Sequence, residues 1–157
     1  MNVSPLMVLG WHERVSLPQF GIDAVFAKLD TGSDHSVLHA RDIVQLGGDL
    51  VEFALPLLLV QRSCQEFIAG GPRRIRGRLV DDRIVRSSNG KDEVRYVIET
   101  QLHLAQREFA VRFSLTDRTG MRFPLLLGRS ALAGRFLVDS SRAHLAHDEV
   151  CSDRAEQ

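Results

Sequence analysis

Ala27-Lys28-Leu29-Asp30-Thr31-Gly32-Ser33-Asp34-His35-Ser36-Val37-Leu38 is the stretch on which the reading of this chain turns. An apolar run, Ala24 to Leu29 with Lys28 as its one charge, delivers a carboxylate, a hydroxyl residue and a glycine, and apolar residues resume at Val37. A carboxylate at the end of a buried strand is costly unless its chemistry is used. Gly32 permits a sharp turn and close approach to a ligand, and the Thr31 hydroxyl can hydrogen-bond while its methyl packs. A carboxylate held this way can activate water for attack on an amide; an Asx-type turn at a strand end uses the same letters. Asp-Thr-Gly occurs by chance in roughly 3% of chains of this length at ordinary composition, so its surroundings must decide.

They do. Asp30 to Leu38 resembles the active-site loop of retroviral aspartic proteases, through the Val37-Leu38 pair. Far downstream, Pro124-Leu125-Leu126-Leu127-Gly128-Arg129-Ser130-Ala131-Leu132 resembles the apolar-Gly-Arg segment that passes behind that loop and opens a short helix. A wider resemblance takes in Gly10-Trp11, Glu13, Leu17-Pro18, Ala27 to Gly32, Ser36 to Ala40, Arg83 to Arg95, Leu115-Thr116, Arg118, Met121 and Leu126 to Asp139. It is to the bacterial retropepsin-like aspartic peptidases, often labelled ATP-dependent zinc proteases. Members usually carry Ala where this chain has Ser33.

The resemblance implies an all-β, retropepsin-like closed barrel with a flap hairpin and one short helix. It implies an aspartic endopeptidase with Asp30 catalytic and Thr31, Gly32 and Ser33 in the active-site loop. Gly32, Asp34, His35, Ser87, Ser88, Asn89 and Gly90 are then substrate-binding, and Gly128 and Arg129 give structural support. Relatives often occur with ATP-grasp ligases that add amino acids to peptides or proteins, which suggests a peptide-tail substrate. No cofactor and no metal are implied; the partners are a peptide or protein substrate and a second copy of the chain.

Composition agrees with one globular domain over residues 1–157, its tail from about 145 frayed: 44% of residues are hydrophobic and 25% charged. Twenty basic residues balance twenty acidic ones, so no net field draws the chain to nucleic acid or to an anionic membrane. Cys64 and Cys151 lack metal-ligand spacing and read as free thiols. Residues 1–10 lack the basic lead of a secretory signal, no run reaches the length of a membrane span, and a cytoplasmic location is expected.

In chain order, Leu6 to Trp11, Arg14 to Leu17 and Ala24 to Leu29 read as strands, with Pro18 and Gly21 as breaks. His39 to Leu46 reads as a helical turn or irregular, closed by Gly47-Gly48. Asp49 to Val60 reads as a buried strand, and Gln61 to Arg78, with Arg73, Arg74, Arg76 and Arg78, as an excursion between strands. Arg78 to Arg86 and Glu93 to Leu104 flank Asn89-Gly90 as a hairpin. Its pattern fits an ordinary exposed hairpin as well as a flap, and the resemblance selects the flap. Glu108 to Leu115, Phe123 to Leu127 and Phe136 to Asp139 are further strands, with a helical turn at Ser130 to Ala133.

Hydrolysis by carboxylates takes two that share one proton, because like charges a few ångströms apart do not both ionise. Asp30 begins the single Asp-Thr-Gly; Asp117-Arg118-Thr119-Gly120 has an extra residue. A twofold homodimer supplies the second carboxylate directly, with Thr31 bonding across the axis as the resemblance implies. Zinc hydrolysis is the rival: His35 and His39 stand four apart, but His-Glu-x-x-His is missing and His12, His103, His144 and His147 are scattered. Ser36 and Cys64 lie in no nucleophile pattern, and a catalytically inactive peptide-binding module is the non-enzyme alternative. Two side-chain contacts are expected: a largely buried Arg129–Asp34 ion pair, and a Ser33 hydroxyl donating to Asp30 and moving the working range toward acid.

Overall fold

The computed structural model describes residues 5–55, 58–61, 67–70, 73–86 and 89–146. Thirteen strands and one short helix follow in order: β1 Met7–Gly10, β2 His12–Leu17, β3 Ile22–Leu29, β4 Ser36–His39, β5 Arg41–Gly47, β6 Leu50–Leu55, β7 Leu58–Gln61, β8 Phe67–Gly70, β9 Arg73–Arg86, β10 Asp92–Leu104, β11 Arg107–Thr116, β12 Leu125–Leu127, α1 Arg129–Leu132 and β13 Phe136–Asp139. Six of them close on themselves in the order β2, β3, β12, β4, β11, β10 and back to β2. The fold is therefore an all-β closed barrel, as expected.

Closure explains the pattern of β3, where Ile22, Ala24, Val25, Ala27 and Leu29 are all buried. With β2 on one side and β12 on the other, both edges of the strand are paired within the barrel wall. Phe113, Leu125, Leu127, Leu102 and Leu38 fill the interior, each essentially inaccessible. Burying a Leu or Phe side chain is worth about 1.5–3 kcal/mol, so this cluster carries the barrel.

β9 and β10 pair antiparallel from Arg86–Asp92 inward to Arg78–Glu99. In β10 the first three residues are exposed, and burial begins at Val97. A register shift between Val97 and Ile98 marks where the hairpin leaves the barrel, as a bulge bends and twists the strand that carries it. The outer part is the arm expected of a flap. At its tip Gly90 has φ +80°; Ser87 and Ser88 lie outside the described residues.

Three local expectations change. Arg41–Gly47 is a strand paired with β6, not a helical turn. Asp49 to Val60 is two strands, β6 and β7, rather than one. Arg73–Arg78 belongs to β9 and pairs with β6 across the full length of that strand; Arg74 and Arg76 both hold Glu52, at 2.8 and 3.1 Å. Cys64 and Cys151 lie outside the described residues, as does the tail from 147. Leu145 and Ala146, expected to fray, are fastened: their amides donate to Glu13 at 2.7 and 3.2 Å. Glu13 also accepts from the Gly10 amide at 2.9 Å and is completely buried, so three amides stabilise a carboxylate that would otherwise be costly inside the protein.

Candidate active site

Asp30 follows directly on β3, and residues 30–35 carry the chain over to β4. The two strands are not neighbours: β12 lies between them, parallel to β3 and antiparallel to β4. The loop therefore arches over the end of β12, and its first tether is the Asp30 amide donating to the Leu127 carbonyl at 2.8 Å. Asp30 is half-buried. Its Oδ1 accepts from the Gly32 amide at 3.1 Å, and a Cβ on Gly32 would lie 3.3 Å from that oxygen. Gly32 thus lets the chain fold back onto the carboxylate it follows.

Gly128 closes the arch from below. A Cβ there would fall 2.5 Å from the His35 carbonyl oxygen and 2.9 Å from the Asp34 carbonyl carbon, so only hydrogen fits. The Gly128 amide donates to the hydroxyl of buried Ser36 at 3.1 Å, which employs Ser36 as a support. The next two amides continue the seam, Arg129 to Ser33 O at 2.8 Å and Ser130 to Asp34 O at 3.1 Å. The Arg129 guanidinium donates to Thr31 O at 2.9 Å and pairs with Asp34 Oδ1. That pair was expected to be largely buried; its side chains are instead 49% and 70% exposed in the single chain.

The Ser33 hydroxyl donates to the His35 carbonyl at 3.0 Å, not to Asp30. The expected acid shift loses its basis, since a turn hydroxyl satisfies local backbone first. His35 and His39 do not converge. His35 is exposed and its Nε2 meets Arg83 Nη1 of β9 at 3.0 Å. His39 is buried, and its Nδ1 accepts from the Arg118 amide at 2.7 Å. Burial is the main influence on His39 and lowers its pKa, with Asp117 opposing.

Of the remaining site residues expected from sequence, Thr31, Gly32 and Asp34 stand exposed on the loop; Asn89 and Gly90 stand exposed at the tip of the β9–β10 arm. Arg118 was not assigned to the site. Its Nε donates to Phe123 O at 3.0 Å; burial lowers its pKa while the charge of Asp30 acts against that shift. This electrostatic link to the candidate catalytic carboxylate was not legible because Arg118 sits 88 positions away, in a loop without periodicity. Beside the loop, beginning at His35 and Ser36, is a cleft of about 370 Å³ whose walls include Arg83, Val97, Glu99, Arg112 and Ser130. Asp30 itself does not line it.

A carboxylate on an arch between two strands, a third strand threaded behind it, and an arm projecting from the barrel define the retropepsin-like class of aspartic endopeptidase folds. Residues 8–149 match the RimB-like family, described as retropepsin-like aspartic endopeptidase RimB, and the chain belongs to that family. It is 34% identical over 145 residues to a probable alpha-L-glutamate ligase of Parasynechococcus marenigrum, a match covering 90% of this chain and 30% of that protein. A second protein of that name, from Desulfotalea psychrophila, is 32% identical over 135 residues, covering 84% and 28%. The chain thus spans less than a third of these relatives. A crystal structure of a Legionella pneumophila protein of unknown function shares the fold, with a TM-score of 0.71 and 23% identity over 89% of this chain and 98% of that one. Among the described residues no helix is long and apolar enough to cross a membrane.

Proposed function

We propose that the chain is an aspartic peptidase that hydrolyses peptide bonds with water activated by two Asp30 carboxylates, one from each subunit of a homodimer. The observation that carries this is the arch: a lone carboxylate, half-buried, fixed from behind by Leu127, Gly128 and Arg129, and open in front. Shared between two copies, one Asp30 is ionised and takes a proton from water while the other, protonated, donates to the developing oxyanion. The exposed front of the loop, Thr31 with the Arg129–Asp34 pair, is the surface a twofold mate would cover. An apolar surface lies on the β1–β13 ribbon, where Val8 and Leu137 pair across the strands at 51% and 53% exposure.

The relatives named glutamate ligases point to the substrate. A peptide extended with glutamate is the proposed target, and the arginines at the site fit it. The charge of Asp30 acts on Arg118, and Arg83 lies at the cleft wall, so cations offset the repulsion between an acidic peptide and the catalytic carboxylates.

The test is a digest of a peptide library that includes glutamate-extended tails, with wild type and Asp30→Asn, across pH 3 to 8 and across protein concentration. Wild type should cleave, Asp30→Asn should not, and specific activity should fall as the dimer dissociates. Binding without cleavage by the wild type would make the chain a peptide-binding module, and full activity in a monomeric fraction would remove the shared-carboxylate mechanism.

A further inference from the structure

We propose that Arg83 is a positioning residue that seats the β9–β10 arm on the active-site loop, and that it does so only while His35 is neutral. The contact is direct, Arg83 Nη1 to His35 Nε2 at 3.0 Å. It joins two elements that the backbone ladder does not: β9 pairs with β6 and β10, while His35 lies in the loop before β4. An arginine is a donor only and stays charged, so Nε2 must present its lone pair and the ring proton must sit on Nδ1. The guanidinium is steadied from its other side by Asp81, whose Oδ2 accepts from Nε at 3.3 Å.

Protonating His35 removes the acceptor and sets a second cation against the first. The other charges around it are already committed. Glu99 on β10 pairs with Arg112 on β11 at 3.1 Å; Asp34 beside His35 pairs with Arg129 of α1; Asp81 pairs with Arg83 itself. Each of these three carboxylates would have to give up a partner to take up the new charge. The arm has little else to hold it down, because Ile84, Arg86 and Asp92 to Val94 are exposed. Neutral His35 therefore holds the arm on the loop, and acidification releases it.

The experiment is hydrogen exchange of the arm, residues 82–86 and 89–96, at pH 8 and pH 5 with intrinsic rates corrected, on either side of the range in which imidazoles titrate. It needs neither substrate nor cleavage, so its outcome is independent of the peptidase proposal. In wild type the arm amides should lose about tenfold of their protection between pH 8 and pH 5, the scale of one hydrogen bond to a charged group at a half-exposed site. His35→Gln keeps an acceptor that does not titrate and should stay protected at both pH values. His35→Ala and Arg83→Met should show protection about tenfold lower at both. Equal protection of wild type and His35→Ala at pH 8 would overturn the proposal. So would acid loosening that persists in His35→Gln, since it would assign the effect to other groups, buried His39 among them.

Discussion

Gly128→Ala is the sharpest probe of how the arch is built. The added Cβ would stand 2.5 Å from the His35 carbonyl oxygen, about 0.9 Å inside the 3.4 Å at which ordinary contact begins. Both neighbours are backbone, so no side chain can swing aside. The glycine itself has φ −90° and ψ 179°, a conformation open to any residue; the effect is purely steric. Forcing a methyl into a packed site costs about 1–3 kcal/mol. Moving the loop away also weakens the seam from Arg129 to Ser33 and Ser130 to Asp34, at about 1 kcal/mol for each bond. A total of about 3–5 kcal/mol is a large part of the ~5–15 kcal/mol that holds a domain together. Urea unfolding should show a lower midpoint at unchanged slope, and heating a Tm lower by about 10 °C. Because Asp30 hangs from the adjacent Leu127 carbonyl, peptide cleavage should drop by about 100-fold, the effect of a misplacement near 1 Å. A variant with wild-type midpoint and wild-type activity would refute the close approach of β12 to the loop.

Three further outcomes follow from the same geometry. Arg129→Ala removes the contacts to Thr31 O and Asp34 but leaves the backbone seam, so a monomer should lose about 1–2 kcal/mol rather than the cost of a buried pair; sedimentation of the variant should show weaker dimerisation as well. Ser33→Ala should leave both limbs of a kcat/KM profile against pH where they are, because the hydroxyl serves His35 O. His39, buried and with its pKa lowered, sets an acid limit on stability. Below the ordinary imidazole value of 6.5 the unfolded chain binds the proton that the folded chain resists, so stability is full above pH 6.5 and is lost as pH falls through the depressed folded value. His12 is shifted in the same direction, so the His39 share is the difference in urea midpoint between wild type and His39→Asn from pH 7.5 to 5, which should shrink as the pH falls.

The barrel and the arch were legible because each is written locally. Asp30-Thr31-Gly32 and Leu127-Gly128-Arg129 are compact, β11 carries its apolar residues at the period of a sheet, and β3 is a short apolar run. β5 was not legible, for reasons visible in its geometry. It is an edge strand with all residues but Ile43 exposed, so burial never shaped its sequence. Asp42 at φ +51° and the register shift from Arg41 to Val44 break the alternation that would have announced it. The arginines of β9 misled in the opposite way: Arg74 and Arg76 read as loop residues, yet they line one face of a strand and share Glu52. The partners of Glu13 were equally hidden, since a contact between position 13 and positions 145 and 146 leaves no trace in local pattern.

What the arch does with its two sides bears on why such a loop would be kept. Behind, every support is internal: Leu127 O, Ser36 Oγ, the amides of residues 128–130 and the Arg129 guanidinium all act on residues of the same chain. In front, the Asp30 carboxylate has one donor among the described residues, the Gly32 amide, although an ionised carboxylate offers about four acceptor positions. The pair that braces the loop is left more than half in water on the Asp34 side, where ion pairs stabilise least. A loop meant only to turn the chain would not need a glycine beneath it that excludes even a methyl group, nor an arginine on its flank. The rigidity is spent on holding a half-satisfied carboxylate at a fixed height above the barrel. Under the proposed mechanism that investment is accounted for, because the front would be completed from outside the chain by a second Asp30 and by a peptide between the two.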